Sequence, residues 1–586
     1  MLELVFGTSG SGKSSYLMQK IREDIESGRR CYLLVPDQQE FITEATYLSV
    51  NKPSDRRYFE VTSFSRLSDM LMEKYGGAAL SLPDRSVETL LLWNVLHKLS
   101  GSLEEYRKEP DASLTSLMYQ ALNEFISSAV SPEAIDQFIG GLDQSSALKP
   151  KLKDLSSVYT FYVQDLKKVL EQHYLDPCAY LCYLLANHPF FEGTHVYIDS
   201  FTGFSSVQQN VISLILAQSE RVTVTIGADK WASKLPHFYE SIKTAADLVQ
   251  KANEAGIPVE QTYMEKNVRR RTPSLQYLEG AIWDYTAKPA QDIPDDGSIS
   301  LLECENIYVE AEATALKILE LVNGGMHFGN IAVTVRDTLA YEGILDAAFE
   351  KYKIPYFMSK RTDLSSKPIA RFLLLSLRCV MHNFRADDVV ALSKTGLCDV
   401  TYDDSDLFAS YCELWHISGS LFTRQTWTMN PEGLSVELSD RGREILSRVN
   451  RVREKILEPL VSLSGQMDSC VYAKDFASAL YDYLLRTGVH QRLSDYAEGE
   501  IQNDRIREAG DTIRTYDEVI RILTVLCRVL PDTELTLQKF STALSLMMSQ
   551  TDLGSVPDPF DCVTVGASGI LRVEHVDAMF ILGLCD

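Results

Sequence analysis

Gly7-Thr8-Ser9-Gly10-Ser11-Gly12-Lys13-Ser14, near the start of a 586-residue chain, sets two glycines five apart and follows the second with a lysine and a hydroxyl residue. This is the spacing of a phosphate-binding loop. Glycines let successive backbone amides turn inward around phosphate oxygens, Lys13 reaches the outer phosphates, and the Ser14 hydroxyl is a ligand for Mg²⁺. Leu4, Val5 and Phe6 read as the strand that delivers the loop. Behind it Leu17, Ile21 and Ile25 recur at four-residue spacing and Gly28 ends the run, which predicts a helix whose N-terminal amides favour an anion. All eight loop residues are candidate nucleotide ligands, and Ser14 is also a candidate metal ligand.

Composition sets bounds on what surrounds the loop. At 586 residues the chain exceeds what one core supports, so three or four domains are expected. A hydrophobic content of 45% with 24% charged residues is that of a soluble globular protein. The formal charge of −24 argues against binding to nucleic acid through the overall field, because such binding draws on Lys and Arg neutralising phosphates; a local basic channel stays open. Eleven cysteines are scattered without a paired framework and the first strand begins at residue 2, so a cytoplasmic protein with reduced thiols and no signal peptide is expected. Cys178 and Cys182 lie four apart with no second pair or histidine at metal spacing, which favours core packing. No apolar run approaches a membrane span; the run 372–377 meets Arg378.

Along the chain, Cys31-Tyr32-Leu33-Leu34-Val35-Pro36 and Glu60-Val61-Thr62-Ser63-Phe64 read as buried parallel strands alternating with helices, the pattern of a doubly wound α/β domain. From about residue 85 to 190 the spacing of Val87, Leu90, Leu91 and Val95, then of Leu117, Leu122, Phe125 and Ile126, predicts a helical insertion. Its Lys149-Pro150-Lys151-Leu152-Lys153 reads as a solvated face before it reads as a phosphate contact. The sheet resumes at His195-Val196-Tyr197-Ile198-Asp199, a hydrophobic strand ending in a carboxylate, which is where a phosphate-loop protein places the Asp that holds Mg²⁺ through water. Asp199 is thus the second candidate metal residue. Hydrolytic motors carry Glu at the next position to activate water; Ser200 stands there instead, so no catalytic base is assigned and hydrolysis is expected to be slow or absent unless another group substitutes. Residues 222–226 form a third strand running into Gly227-Ala228-Asp229-Lys230.

A polar stretch at residues 288–297, with two prolines and a glycine, marks a boundary. Beyond it residues 299–302 read as a strand, 311–321 as a helix, and Ile331-Ala332-Val333-Thr334-Val335 and Ile354-Pro355-Tyr356-Phe357 as strands, with no second phosphate loop. Residues 380–545 read as mostly helical. Trp415 and Trp427 there could stack on bases or fill the core, and a helix before Pro459 carries Arg448, Arg451 and Lys455 beside the apolar Ile445, Val449, Val452 and Ile456. Sheet signals return at Asp561-Cys562-Val563-Thr564-Val565-Gly566, then at Val573, His575, Val576 and Phe580-Ile581-Leu582-Gly583. The stop at Asp586, with no helix behind the last strand, suggests a piece of a longer chain.

The order of these features resembles superfamily 1 helicases of the UvrD and RecB kind. In closer detail Leu33-Leu34-Val35-Pro36-Asp37-Gln38, Thr62-Ser63-Phe64-Ser65-Arg66-Leu67 and Tyr197-Ile198-Asp199-Ser200-Phe201 resemble the AddB component of AddAB-type helicase-nucleases, a family with a degenerate helicase half. The resemblance implies an α/β fold of two RecA-like phosphate-loop domains, the second incomplete, each with a large, mostly helical insertion. Residues 1–85 plus 190–290 would form the first domain and 86–189 its insertion; residues 291–380 plus 550–586 would form the second and 381–549 its insertion. It implies ATP and Mg²⁺ as cofactors, an AddA-type helicase-nuclease subunit as heterodimeric partner, and single-stranded and double-stranded DNA as ligands. It also implies a role in double-strand break repair by recombination, in which this chain binds ATP and guides and scans the unwound strand. In the family a nuclease domain with an iron–sulfur cluster lies beyond these residues, and none of its ligands is assigned here.

Arg269-Arg270-Arg271 sits where such helicases carry an arginine that touches the γ-phosphate; a solvated linker is the other reading. Departures from an active helicase are Asp199-Ser200 in place of Asp-Glu, Lys230 near the glutamine expected after Gly-Asp, and almost no chain before Leu2 for the glutamine that reads adenine. Two rivals stay open: a self-sufficient DNA translocase using a substitute base such as Asp229, and a structural protein with a vestigial loop.

Overall fold

Short apolar runs become strands when neighbours take their backbone groups and both faces are covered. The computed structural model describes residues 1–585 apart from 51–56, 77–84, 144, 171–176, 266, 270, 271, 284–292, 294, 359–363, 424, 425, 435, 436, 504, 552, 554–560, 570 and 572–575. One sheet contains β1 (Leu2–Gly7), β2 (Arg30–Leu34), β3 (Phe59–Thr62), β4 (Thr194–Ile198), β5 (Arg221–Ile226) and β6 (Val259–Met264), all parallel, in the order β3-β2-β4-β5-β1-β6. The period of two divides its side chains. Cys31, Leu33 and Val35 meet Leu17 and Ile21 of the helix Lys13–Glu26 on one face. On the other, Tyr32 and Leu34 join Leu71 of Phe64–Tyr75, Ile212 of Ser206–Gln218 and Leu248 of Tyr239–Glu254. Each such fully buried aliphatic side chain contributes about 1.5–3 kcal/mol. The strand expected at residues 60–64 ends at Thr62, because Ser63 accepts from Arg66 N at 3.3 Å and Phe64 already opens the next helix.

The second sheet contains β7 (Ile331–Val335), β8 (Tyr356–Met358), β9 (Val563–Ala567) and β10 (Ala578–Leu582), again parallel, in the order β10-β7-β9-β8. Ala311, Ala315 and Ile318 of the helix Ile307–Asn323 and Phe349 of Ile344–Lys351 cover Ile331, Val333 and Val335. The strand expected at residues 299–302 does not form. Ile299, Leu301 and Leu302 are exposed, and among the described residues no neighbouring strand pairs with them, so the run lacks the ladder that would satisfy its backbone. Of the expected boundary at 288–297, residues 288–292 and 294 lie outside the described residues, as do Val573, His575 and Asp586.

The helices of residues 85–170 and those of 364–550 share one hydrophobic core, in which Leu90, Leu92 and Trp93 cluster with Leu544, Met547 and Leu373. Lys539 Nζ lies 3.1 Å from His97 Nε2 and Gln550 Nε2 donates to Ser116 Oγ at 3.4 Å across this junction. The helix Arg85–Leu99 is buried all round from Thr89 to Leu96, which is why its apolar residues show no single face. The helix Pro177–Asn187 packs elsewhere: its Leu181, Leu184 and Leu185 join the core of the first sheet, with Cys178 and Cys182 packed partly buried against it. Trp427 stacks on Tyr411 with ring centroids 5.2 Å apart and Trp415 Nε1 donates to Asn430 O at 3.1 Å, so both indoles serve packing. In the helix Asp440–Met467, Arg448 pairs with Asp404 at 2.6 Å and Lys455 with Asp399 at 2.9 Å, which takes up two of the three cations of its basic face internally. Among the described residues no helix is long and apolar enough to cross a membrane.

Candidate functional site

In the first sheet the chain leaves β1 toward β2 on one side and leaves the adjacent β5 toward β6 on the other, and the carboxyl end of such a pair of strands is where ligands of doubly wound sheets sit. The glycine-rich stretch fills that place. Gly7 ends β1, and a Cβ there would overlap the Ser11 Oγ. Gly10 and Gly12 have φ of +82° and +89°, a region that side chains other than glycine enter at a cost. Gly12 is the N-cap of the helix Lys13–Glu26 and supplies no side-chain cap, which leaves the first-turn amides without one. Ser11 is buried, and among the described residues its Oγ has no hydrogen-bond partner. Ser14 is exposed in the first turn.

Lys13 Nζ donates to Gly7 O at 2.7 Å and Thr8 O at 2.8 Å, so the ammonium is folded into the loop it follows. Burial pushes its pKa below the ordinary lysine range, with the Asp199 carboxylate pulling part of the way back. That electrostatic coupling brings together the two residues the sequence singled out from β1 and β4. Asp199 is itself buried just past β4; its Oδ1 accepts from Thr225 Oγ1 at 2.5 Å and from Ser200 N at 2.9 Å. Ser200 reaches back with φ of +67°, a left-handed turn that costs of order 1 kcal/mol outside glycine. Its hydroxyl brings no carboxylate to the position next to Asp199. Asp229, past the end of β5, has a buried Oδ1 with no hydrogen-bond partner among the described residues, and Lys230 is exposed.

Residues that the sequence reading passed over complete the arrangement. Thr225 of β5 holds Asp199, and Asn267, past β6, donates from Nδ2 to Ser9 O at 3.1 Å. Neither belongs to a local motif; only the sheet order, which sets β5 and β6 on either side of β1, brings them in. Arg269 donates its backbone N–H to Gly10 O at 3.2 Å, which places that residue beside the loop; Arg270 and Arg271 lie outside the described residues. At the ends of β2 and β3, Arg66 pairs with Glu40 and with Glu44, the latter at 3.4 Å, and Ser65 Oγ donates to Asp37. Among the described residues no group of three or more His, Cys, Asp or Glu side chains could hold a metal ion, so a divalent cation here would rest on Asp199, Ser14 and the oxygens of a ligand.

A parallel, doubly wound sheet with a glycine-rich strand–loop–helix at its carboxyl edge defines an α/β protein whose conformational specialisation is concentrated at that edge. Residues 4–279 match the family described as ADDB, N-terminal, so this part of the chain is similar to the N-terminal region of AddB proteins. The chain is 28% identical over 601 residues to the B-type component of the ATP-dependent helicase/deoxyribonuclease of Acetivibrio thermocellus. It is 25% identical over 602 residues to that of Clostridium botulinum strain Langeland and 26% over 602 to that of Clostridioides difficile strain 630. Each match takes in 100% of this chain and 52% of the relative, so the chain spans about half the length of the curated relatives it matches.

Proposed function

We propose that this chain is the ATP-binding amino-terminal half of an AddB-type subunit of a helicase-nuclease, with a degenerate helicase site that guides and scans single-stranded DNA. On this reading the two parallel sheets are RecA-like domains and the helices between their strands are the insertions. An AddA-type partner does the unwinding, and the assembly serves double-strand break repair in the cytoplasm. The observation that carries the nucleotide part is the loop itself: left-handed Gly10 and Gly12, an uncapped helix start, Lys13 turned inward and a buried Ser11 Oγ without a partner among the described residues. A phosphate would take the loop amides, the Ser11 hydroxyl and the Lys13 ammonium, replacing the carbonyls that lysine now holds. Mg²⁺ when bound would neutralise phosphate charge, with Ser14 and Asp199 as the residues to hold it.

Weak turnover follows from Ser200, which offers no carboxylate to take a proton from water. The relatives are each named as one component of an ATP-dependent helicase/deoxyribonuclease, which supports the assignment to a multisubunit enzyme. One observation favours a second reading, a motor in its own right: the buried Asp229 Oδ1 has no hydrogen-bond partner among the described residues. ATP turnover by the full-length protein, with and without single-stranded DNA and with Lys13→Ala alongside, separates them. Binding through Lys13 without turnover is the expected result; DNA-stimulated turnover lost in Lys13→Ala would establish the motor instead.

A further inference from the structure

We propose that residues 267–269 form a clamp that presets the glycine-rich loop for phosphate and so couples nucleotide binding at the first sheet to the connection toward the second. The inference rests on the nucleotide reading above. A trans peptide is planar, with its N–H opposed to its C=O, so fixing a carbonyl outward fixes the following amide inward. The carbonyls fixed here are those of Ser9 and Gly10, which orient the amides of Gly10 and Ser11; the Ser11 amide donates to Thr8 O at 3.2 Å inside the loop, so Gly10 N–H is the amide the clamp presets for phosphate. Gly10 O accepts from Val268 N at 2.9 Å and from Arg269 N at 3.2 Å, and Ser9 O accepts from Asn267 Nδ2 at 3.1 Å.

Asn267 is held in turn. Its Nδ2 also donates to Glu279 Oε2 at 3.0 Å, on the helix Pro273–Ala281, and its Oδ1 accepts from Arg269 N at 3.1 Å. The approach is close: a Cβ on Gly10 would stand 2.8 Å from Arg269 Cβ and 3.0 Å from Asn267 Oδ1. Glycine-rich backbone is otherwise the most expensive kind to order when a ligand arrives, and a loop held in advance avoids that entropy. The clamp lies in the passage from β6 through the helix Pro273–Ala281 toward β7, the route by which the chain passes from one sheet to the other. By reciprocity, a shift of that helix that withdraws Asn267 weakens phosphate binding, and bound phosphate holds the helix in place.

The test is Mg-ATP binding by calorimetry on the full-length protein, together with amide hydrogen exchange, for wild type, Asn267→Ala, Asn267→Asp and Lys13→Ala. Asn267→Ala is expected to bind about five- to tenfold more weakly, the scale of one or two hydrogen bonds. Its amides at residues 9–11 should exchange faster even without nucleotide. Asn267→Asp keeps the acceptor but loses the donor and faces Glu279, so it should bind no better than Asn267→Ala. In wild type, Mg-ATP should slow exchange at Val268, Arg269 and the helix Pro273–Ala281. Unchanged affinity, or unchanged loop exchange, in Asn267→Ala with wild type still binding through Lys13 would overturn the clamp and leave the nucleotide reading standing. A wild type that does not bind Mg-ATP would overturn the nucleotide reading, and the clamp with it.

Discussion

The two ends of the first sheet treat their polar groups in opposite ways. At the amino end, Glu3 is 2% exposed, yet it accepts from Lys20 at 2.8 Å, Tyr16 at 2.9 Å, Thr262 at 3.0 Å and Thr223 at 3.2 Å. Asp24 accepts from Tyr197 at 2.5 Å and Arg29 at 3.3 Å, and pairs with His195 Nδ1 at 2.6 Å. At the carboxyl end, among the described residues, Ser11 Oγ and Asp229 Oδ1 are buried without hydrogen-bond partners and Lys13 donates to two carbonyls of its own loop. An unpaired buried polar group costs about 1–3 kcal/mol. Glu3 and Asp24 are saturated at one end, while Ser11 Oγ and Asp229 Oδ1 lack hydrogen-bond partners among the described residues at the other, a contrast between groups that hold the fold and groups equipped for a ligand.

The contrast can be broken most severely at the amino end. Glu3→Ala strands the Lys20 ammonium and three hydroxyls, and about 3 kcal/mol of stability should be lost in urea unfolding. Lys13→Ala should do the reverse: nucleotide affinity falls on the order of tenfold to a hundredfold in calorimetry while the urea midpoint barely moves, since that lysine is already disfavoured by burial. Thr225→Val frees the Asp199 carboxylate from its hydroxyl; a severalfold weaker response of nucleotide binding to Mg²⁺ is expected, with Thr225→Ser restoring it.

The pH dependence should also differ between the ends. Burial alone would raise the pKa of Glu3 and Asp24, but hydrogen bonds from Lys20 and Tyr16 to the first, and from Tyr197 and His195 to the second, outweigh it and hold both below the usual carboxylate range. Their contribution to stability is therefore complete above about pH 4 and lost as the pH falls through the lowered values, which an acid titration of the unfolding free energy reads. Lys13 acts in the alkaline range. Its lowered pKa means the unfolded chain binds more protons there, so stability rises as the pH approaches about 10, and Lys13→Ala flattens that rise. The smallest effect belongs to Ser11→Ala, which removes a partnerless hydroxyl: stability should stay level or gain up to about 1 kcal/mol even as nucleotide affinity drops.

How much of this was legible in the sequence follows from how local each signal is. The loop, its strand and its helix lie within about 25 residues and follow from glycine spacing and a four-residue apolar period. Asp199 is legible because it ends an apolar strand. The run at residues 299–302 has the composition of a strand but lacks a paired neighbour among the described residues, a condition composition does not encode. Thr225 and Asn267 reach the site only through strand order, and the core shared by residues 87–166 and 364–548 joins segments whose apolar patterns do not name one another.

That shared core sets a clock on synthesis. The helix Arg85–Leu99 is buried all round, partly by Leu537–Gln550, whose Leu544 and Met547 lie some 450 residues downstream. At ribosomal rates of about 5–20 residues per second, Leu90, Leu92 and Trp93 wait roughly 20–90 s for the downstream half of their core, exposed to whatever else in the cell binds apolar surface. The first sheet closes with β6 well before then, so the nascent protein passes through a stage in which the candidate nucleotide loop can be complete while its helical body is not, and a chaperone that covers residues 87–96 would govern the yield of the folded chain.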